Sequence, residues 1–350
     1  MWQTAGILAL GGGVGALADL AGVALPWLIG PLVATAAIGL CGVALRPPAW
    51  IRKTGQMVAA TAIGLSFSPE IVAMLAGYID VMIITAAASM LASILIARVI
   101  ARAAHVSFQT AYFSCLPGGV AEMSVLAERY GGETALVALA QSLRIVLVVL
   151  SVPVALVALS ETYEAVQATV AHRPLDLPAL ALMLAAALAV ALVFERVRVM
   201  NAWFLGGLVV GAAIALAELP ASHVPFEMVD AAQVMIGCAL GARINRGIVT
   251  RLRNFLPAAI LSTALLILFN VAMAWLTALW TGIDVPALVL AVAPGGVAEM
   301  SITAKALHLA VPLVTAFHLV RVLMIILCSA PVYRGTLWIG ERLTRRRPAE

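Results

Sequence analysis

The octapeptide PGGVAEMS occurs twice in this chain, at residues 117–124 and 294–301, separated by 177 positions. Eight identical residues in a row are far beyond chance, so the two copies indicate an internal duplication. Proline lacks the amide that an inner turn of a helix needs, and glycine reaches backbone angles that other residues avoid. The motif therefore predicts two equivalent helix breaks.

The similarity of the two halves extends beyond the octapeptide. Arg144 and Arg321 each follow the proline of their own copy by 27 residues. We predict a first membrane repeat at 1–160, a linker at 161–176 and a second membrane repeat at 177–350. Internal repeats are the usual construction of secondary transporters. Further parallel segments are WLIGPLV at 27–33 with WFLGGLV at 203–209, and GQMVAATAIG at 55–64 with AQVMIGCALG at 232–241.

Both halves consist of long apolar stretches. Only 11% of the residues are charged and 63% are hydrophobic, whereas soluble domains carry about 25% charged residues. Apolar stretches of about 20 residues match a hydrocarbon core about 30 Å thick. We predict an all-α polytopic protein in a lipid bilayer. The basic residues lie in loops and in the tail RLTRRR, as is usual for cytoplasmic loops, so no nucleic acid is expected as a partner.

Twelve apolar segments are candidate helices, six in each half. The basic residues follow the second and fourth segments of the first half, but the first and third of the second half. Equivalent segments therefore run in opposite directions, which requires an odd number of crossings in each half. The predicted fold is two inverted-topology repeats of about five spans, each with one broken or re-entrant Pro-Gly-Gly segment. The segments are 5–24, 26–45, 54–68, 78–101, 106–127, 134–159, 177–194, 202–218, 228–245, 254–280, 285–307 and 311–334.

The two helix breaks are candidate binding sites. A helix that restarts after the glycines points its free amides and positive dipole end at the break, and Glu122 and Glu299 fall in that first turn. The half-helix before each break offers free carbonyls that suit a small cation. Alternatively, the glycines only permit close helix crossing. The candidate residues are Pro117, Gly118, Gly119, Glu122, Pro294, Gly295, Gly296 and Glu299.

Arg144 and Arg321 lie deep in otherwise apolar segments. A charge at the membrane midplane costs about 2.5–3.5 kcal/mol even on the lenient insertion scale, so each arginine is expected to pair with Glu122 or Glu299 or to hold an anionic ligand. A guanidinium suits a substrate carboxylate because it offers two parallel donors. A structural ion pair is the alternative interpretation.

Other polar residues of the apolar segments are weaker candidates. Gln56 and Gln233 are equivalent, and they either contribute to the site or bond a neighbouring helix. His318 lies one turn before Arg321, where it is a candidate proton relay, although its counterpart is Gln141. Lys305 is expected to reach solvent.

The duplicated PGGVAEMS, with a later arginine in each half, resembles the AbrB family of bacterial membrane proteins. The resemblance covers nearly the whole chain, and this is not the small DNA-binding regulator of similar name. Members are often labelled ammonia monooxygenases or regulators of gene expression. A metal oxygenase needs clustered ligands, and no such cluster is expected because the five histidines are dispersed. They are His105, His172, His223, His308 and His318.

A secondary transporter for a small organic anion is the leading hypothesis, because two arginines accompany the two breaks. The chain is not expected to be an enzyme or to need a cofactor beyond a coupling Na⁺ or H⁺. At the level of the fold, glycine-rich inverted repeats are similar to 2-hydroxycarboxylate and sodium/glutamate carriers, an analogy that implies a homodimer. The alternative is a non-transporting membrane protein that regulates gene expression indirectly.

Overall fold

The computed structural model describes residues 2–159, 175–219 and 222–345, and within them every regular element is a helix. Residues 161–174 of the predicted linker lie outside the described residues. In the first half the helices are α1 Trp2–Leu20, α2 Pro26–Leu40, α3 Ala49–Gly64, α4 Pro69–Ala76, α5 Ile79–Ala103, α6 Phe108–Cys115, α7 Val120–Arg129 and α8 Thr134–Leu159. In the second half they are α9 Leu177–Arg196, α10 Ala202–Leu216, α11 Phe226–Gly241, α12 Arg246–Arg251, α13 Leu256–Thr281, α14 Val285–Val292, α15 Val297–Ala306 and α16 Val311–Arg345.

The predicted helices are confirmed, and each half adds one short helix that sequence reasoning missed, α4 or α12. Ser68 begins α4 by accepting a hydrogen bond from the amide of Ile71 at 3.3 Å, and Pro69 follows at its first position, which proline favours. The chain bends by 92° between α3 and α4. Helix α3 therefore ends at this bend, and α4 turns away before α5 begins.

The first Pro-Gly-Gly segment is a re-entrant hairpin, as predicted. Helix α6 ends before the break, and α7 returns beside it. The amide of Glu133, just after α7, donates to Thr110 Oγ1 in the first turn of α6 at 2.9 Å. The two ends of this hairpin, hairpin 1, are therefore adjacent. Helices α14 and α15 pack against each other in the same order around the second break, and they form hairpin 2.

Close glycine contacts show that the repeats are inverted. Gly237 of α11 lies against Leu28 near the start of α2, and Gly39 near the end of α2 lies against Ile244 just beyond α11. Helices α2 and α11 therefore run in the same direction, and the contacts of α10 with α3 show the same relation for that pair. Because α3 returns after the short connection that follows α2, the equivalent helices α2 and α10 run in opposite directions.

The helices pack into two bundles, and each bundle contains helices from both repeats. The scaffold bundle contains α1–α3 and α9–α11, with α3 against both α10 and α11. The hairpin bundle contains α5–α8 and α13–α16, where α5 crosses α13. Each repeat thus contributes three helices to the scaffold bundle and four to the hairpin bundle. The bundles meet mainly where α15 packs against α3.

Five described helices are long and apolar enough to cross a membrane, which makes this a multi-pass membrane protein. Helices α2 and α10 are apolar but have only 15 residues each, which corresponds to about 22 Å. The prediction of ten spans is therefore met by length in five helices and stays a prediction for the shorter ones. The five candidate spans are Ile79–Ala103, Thr134–Ala158, Leu177–Arg196, Leu256–Thr281 and Val311–Thr336.

Candidate functional site

The glycines of the two breaks leave space that neighbouring side chains fill. Their φ angles are not positive, and Gly119, for example, has φ −74° and ψ 147°, which other residues also adopt. A Cβ at Gly118 would lie 2.7 Å from the side chain of Met123, and one at Gly119 would overlap the carboxylate of Glu122. The expectation of unusual backbone angles was therefore wrong, because what the motif provides is room for two side chains.

Arg144 binds the backbone of both breaks. Its Nη1 donates to Leu116 O at 3.0 Å and its Nη2 to Gly118 O at 3.1 Å, both in its own repeat. Its Nε donates to Pro294 O in the other repeat at 2.9 Å. Nη2 also donates to Gln141 Oε1 at 2.6 Å. This guanidinium therefore fixes the end of α6 and connects the tips of the two hairpins.

Arg321 makes the equivalent contacts in the second repeat. Its Nη1 donates to Ala293 O, and its Nη2 donates to Gly295 O at 2.7 Å and to Nδ1 of His318 at 2.9 Å. Its Nε is buried without a hydrogen-bond partner among the described residues, whereas the Nε of Arg144 bonds across the repeats. The two arginines thus make equivalent hydrogen bonds within their own repeats, but only Arg144 also bonds to the other repeat.

The expected pairing of these arginines with Glu122 and Glu299 is wrong. The ion pair found among the described residues joins Lys53 to Glu195. The last carbonyls of a helix have no partner within it and carry its negative dipole end, so those of α6 and α14 satisfy the guanidiniums instead. The sequence suggested that the carbonyls before each break bind a small cation, but in the structure they accept hydrogen bonds from the two arginines.

Gln141 and His318 hold these arginines in the same way. The Nε2 of Gln141 donates to Phe113 O at 2.7 Å, and the Nε2 of His318 lies 2.9 Å from Leu290 O at the equivalent position. Because Arg321 donates to Nδ1 of His318, the network assigns the ring proton to Nε2. His318 thus has a hydrogen-bonding role that requires no proton transfer.

The two glutamates lie in the first turns of α7 and α15, as predicted, but in different surroundings. Glu299 is 3% exposed and Glu122 is half-buried. Neither carboxylate has a hydrogen bond or an ion pair with a described residue, and each lies against the glycine that precedes its helix. Both acids keep their capacity to accept hydrogen bonds.

Hairpins 1 and 2 contact the scaffold bundle unequally. Helix α15 packs against α3, and α7 makes no comparable contact with α11. Val125 of α7 is 63% exposed, whereas its equivalent in α15, Ile302, is 2% exposed. Lys305 Nζ donates to Ala62 O near the end of α3 at 3.3 Å, so the expectation that Lys305 reaches solvent was wrong. The pseudo-symmetric molecule is therefore closed at one hairpin only.

The equivalent glutamines of the scaffold bundle also differ. Gln233 Nε2 lies 3.4 Å from Asp230 Oδ1 on its own helix. Gln56 is 6% exposed and has no hydrogen bond to a described residue. Gln56 is therefore available to a ligand, while Gln233 has a local partner.

Sequence reasoning missed Arg52 and Arg243, which were used only to assign topology. Arg52 Nε and Arg243 Nη1 are buried without hydrogen-bond partners among the described residues. Burial lowers the pKa of Arg243 to about 10, and neighbouring Arg52 lowers this pKa as well, whereas Glu299 raises it. Arg243 therefore stays charged at neutral pH. The only sequence feature that could have pointed to them is their position at the ends of α3 and α11, the helices that carry Gln56 and Gln233.

An aromatic cluster, also missed, fixes the base of hairpin 1 to α16. Tyr112 donates to Ser329 O at 2.9 Å, and the rings of Tyr130 and Tyr333 lie 4.8 Å apart. In α14 the position equivalent to Tyr112 is Val289. Hairpin 1 thus has an aromatic attachment at a position where hairpin 2 is aliphatic.

Within the described ranges, no group of three or more His, Cys, Asp or Glu side chains could hold a metal ion. The four cysteines are free, and Cys115 and Cys238 are buried.

Comparison with known proteins finds one family model and relatives of similar length. The family model described as "Transition state regulatory protein AbrB" matches residues 27–336. The chain is 26% identical to the Bacillus subtilis (strain 168) "Uncharacterized protein YhjN", over 93% of this chain and 91% of that protein. It is 25% identical to the Escherichia coli (strain K12) "Putative regulator AbrB", over 88% of each. No solved structure matches the chain.

Proposed function

The chain belongs to the AbrB family of duplicated membrane proteins, and on that premise we propose that it is a secondary transporter of the bacterial inner membrane. Its substrate is a small organic anion, and a gradient of Na⁺ or H⁺ supplies the driving force. The two bundles move against each other while hairpins 1 and 2 alternate in contact with the scaffold bundle. No covalent chemistry is assigned to the chain.

The observation that carries this proposal is the unequal contact of two equivalent hairpins. Two inverted repeats have the same internal structure but enter the membrane from opposite faces. Hairpin 1 can therefore adopt the contacts that hairpin 2 makes in this structure, and hairpin 2 those of hairpin 1. Here α15 is closed against α3 and α7 is open. A protein that exchanges these two arrangements exposes the region between the bundles first to one face and then to the other.

The anionic substrate is supported by the surplus of cationic groups around that region. Arg144 and Arg321 donate to backbone carbonyls, whereas Arg52, Arg243 and the Nε of Arg321 retain buried donors without partners among the described residues. An isolated buried cation is costly unless it is paired, so a mobile anion is the partner that such a site favours. The glutamates set how much negative charge the site accepts.

Reconstituted liposomes test the proposal directly. The full chain is incorporated into vesicles with an imposed Na⁺ or H⁺ gradient, and uptake of a panel of labelled mono- and dicarboxylates is measured. We expect gradient-driven uptake of at least one anion, and strong impairment in Glu299→Gln. Lys53→Gln, which removes a charge that is already paired with Glu195, is the matched control and should retain uptake. No uptake of any anion in a correctly folded preparation would rule out the carrier.

Indirect regulation of gene expression is the second candidate, since a relative carries the name of a regulator. In that case the buried charges are structural, and the loops contact a signalling partner. Substitutions confined to the loops would then change reporter expression in cells, while liposomes would show no uptake. The carrier instead requires that Glu299→Gln abolish both transport and any effect on expression.

A further inference from the structure

Two arginines of the scaffold bundle carry buried donors that the protein does not use. Arg52 lies in the first turn of α3, and Arg243 directly follows α11. Arg52 Nε and Arg243 Nη1 have no hydrogen-bond partner among the described residues. A buried donor left unpaired costs free energy, and more so on a charged group. These two donors therefore call for a partner from outside the chain.

Helix packing brings these donors to one junction. Helix α3 packs against α11, and α15 packs against α3. The charge of Arg52 repels Arg243, and the carboxylate of Glu299 attracts it. No described carboxylate lies within ion-pair distance of either arginine. Two cations and one buried acid thus share the junction, which keeps a positive excess.

Gln56 adds a neutral donor and acceptor to the same helix face. It follows Arg52 by four residues, so the two side chains are neighbours along α3. It is buried and has no hydrogen bond to a described residue. An amide side chain can both donate and accept, which suits an oxyanion or an adjacent hydroxyl group.

We propose that Arg52 and Arg243, together with Gln56, bind the oxyanion group of a small carboxylate or phosphate compound at the junction of α3, α11 and α15. The two guanidiniums supply charge-assisted hydrogen bonds, which are stronger than neutral ones. Glu299 faces the same junction and limits the negative charge that it accepts. This inference names the substrate contact of the proposed transporter and rests on that function only for the transport step.

Three other cations are not part of the proposed site. Arg144 and the Nη atoms of Arg321 donate to backbone carbonyls, and the unpaired Nε of Arg321 belongs to α16 of the hairpin bundle. Lys53 follows Arg52 in sequence, but it pairs with Glu195 and lies 5.5 Å from the ring centre of Trp203. Lys53 is therefore a matched control, because it has the same charge at the next position and is already paired with a carboxylate.

Ligand titrations of the full chain in lipid nanodiscs test the site. Lactate, succinate and inorganic phosphate are added separately, with chloride as the reference anion, and Kd and Tm are measured. We expect at least one of the three oxyanions to raise Tm above the chloride reference, and the responding probe separates a carboxylate ligand from a phosphate. Arg52→Gln and Arg243→Gln should each weaken that Kd by about 10- to 100-fold, as loss of a charged hydrogen bond implies.

Four further variants test whether charge at the site controls anion binding. Glu299→Gln should tighten the same Kd by roughly tenfold, because it removes a negative charge near the bound anion. Lys53→Gln should leave the Kd unchanged. Arg52→Lys and Arg243→Lys keep the charge and lose the planar fork, so they should fold as the wild type does and bind with intermediate Kd even if a glutamine variant misfolds.

The site is overturned if none of the three oxyanions binds, or if Lys53→Gln weakens binding as much as Arg52→Gln. Transport separates this inference from the proposed function. Wild-type uptake by Arg52→Gln would refute the site and leave the carrier in place. Binding that depends on Arg52 without uptake by the wild type would refute the carrier and support a ligand-binding membrane protein.

Discussion

At the scale of single residues, each deep arginine is solvated by backbone rather than by a carboxylate. Arg144 and Arg321 take the carbonyls that the Pro-Gly-Gly breaks leave free. Unpaired carbonyls and an unpaired cation are both costly in a membrane. The hydrogen bonds between the breaks and the arginines avoid both costs. The glutamates remain free of these arginines, and in the proposed transporter they are therefore available for changes of charge.

The equivalence of Gln141 and His318 gives a prediction at this scale. His318→Gln should change stability by less than about 1 kcal/mol, because glutamine can donate to Leu290 O and accept from Arg321 as Gln141 does for Arg144. His318→Leu should cost about 2–3 kcal/mol, because it leaves that carbonyl and a guanidinium donor unpaired.

The measurement is reversible unfolding of both variants in detergent, together with their uptake in liposomes. Gln141→His is the reciprocal control and should also be mild. If His318→Gln abolished transport but preserved stability, the imidazole would have a proton-transfer role, and a hydrogen-bonding role alone would be refuted.

At the scale of the elements, small residues determine how closely the scaffold helices approach. A Cβ at Gly207 of α10 would overlap Met57 O of α3, and one at Gly64 would lie 2.5 Å from Leu208 O. Because a backbone carbonyl cannot move aside as a side chain can, these glycines hold α3 and α10 together. The packing resembles the small-residue interfaces of membrane helices in general.

Gly207→Ala should therefore destabilise the protein by about 1–3 kcal/mol, which is typical of overpacking. Gly13→Ala in α1 is the matched control, since nothing lies within 4 Å of its added Cβ and alanine favours a helix by about 1 kcal/mol. Thermal unfolding in nanodiscs measures both. Equal stability of the two variants would contradict the close approach of α3 and α10.

At the scale of the whole molecule, the symmetry of the sequence is broken by the packing. The contact of Lys305 with Ala62 closes hairpin 2 on the scaffold bundle. The equivalent positions in the other half are Glu128 and Ala239, and α7 makes no comparable contact with α11. If the proposed transporter alternates, the structure represents one of its two arrangements.

Cysteine crosslinking tests this exchange. In a background without the four natural cysteines, the pair Lys305→Cys/Ala62→Cys should crosslink in the present arrangement, and Glu128→Cys/Ala239→Cys in the opposite one. Crosslinking of either pair should stop uptake, and reduction of the disulfide should restore it. Persistent uptake with both pairs fully crosslinked would show that the hairpins do not alternate.

The sequence by itself determined the class of the protein, the duplication and the helix breaks, because each follows from local chemistry. Apolar length requires membrane helices, repeated letters require repeated structure, and proline followed by two glycines ends a helix in both copies. The alternation of basic loops also predicted the inversion, since that rule depends only on which segments the arginines follow.

The tertiary structure alone decided which groups meet. The backbone carbonyls that Arg144 binds are 26 to 150 positions away, and no spacing distinguishes a distant carbonyl from a distant carboxylate. The two identical octapeptides gave identical predictions for Glu122 and Glu299, yet only Glu299 is buried. Arg52 and Arg243 counted as ordinary loop charges because burial depends on helices that pack from opposite halves of the chain. Contacts between remote segments are set by the whole fold, so a local reading does not contain them.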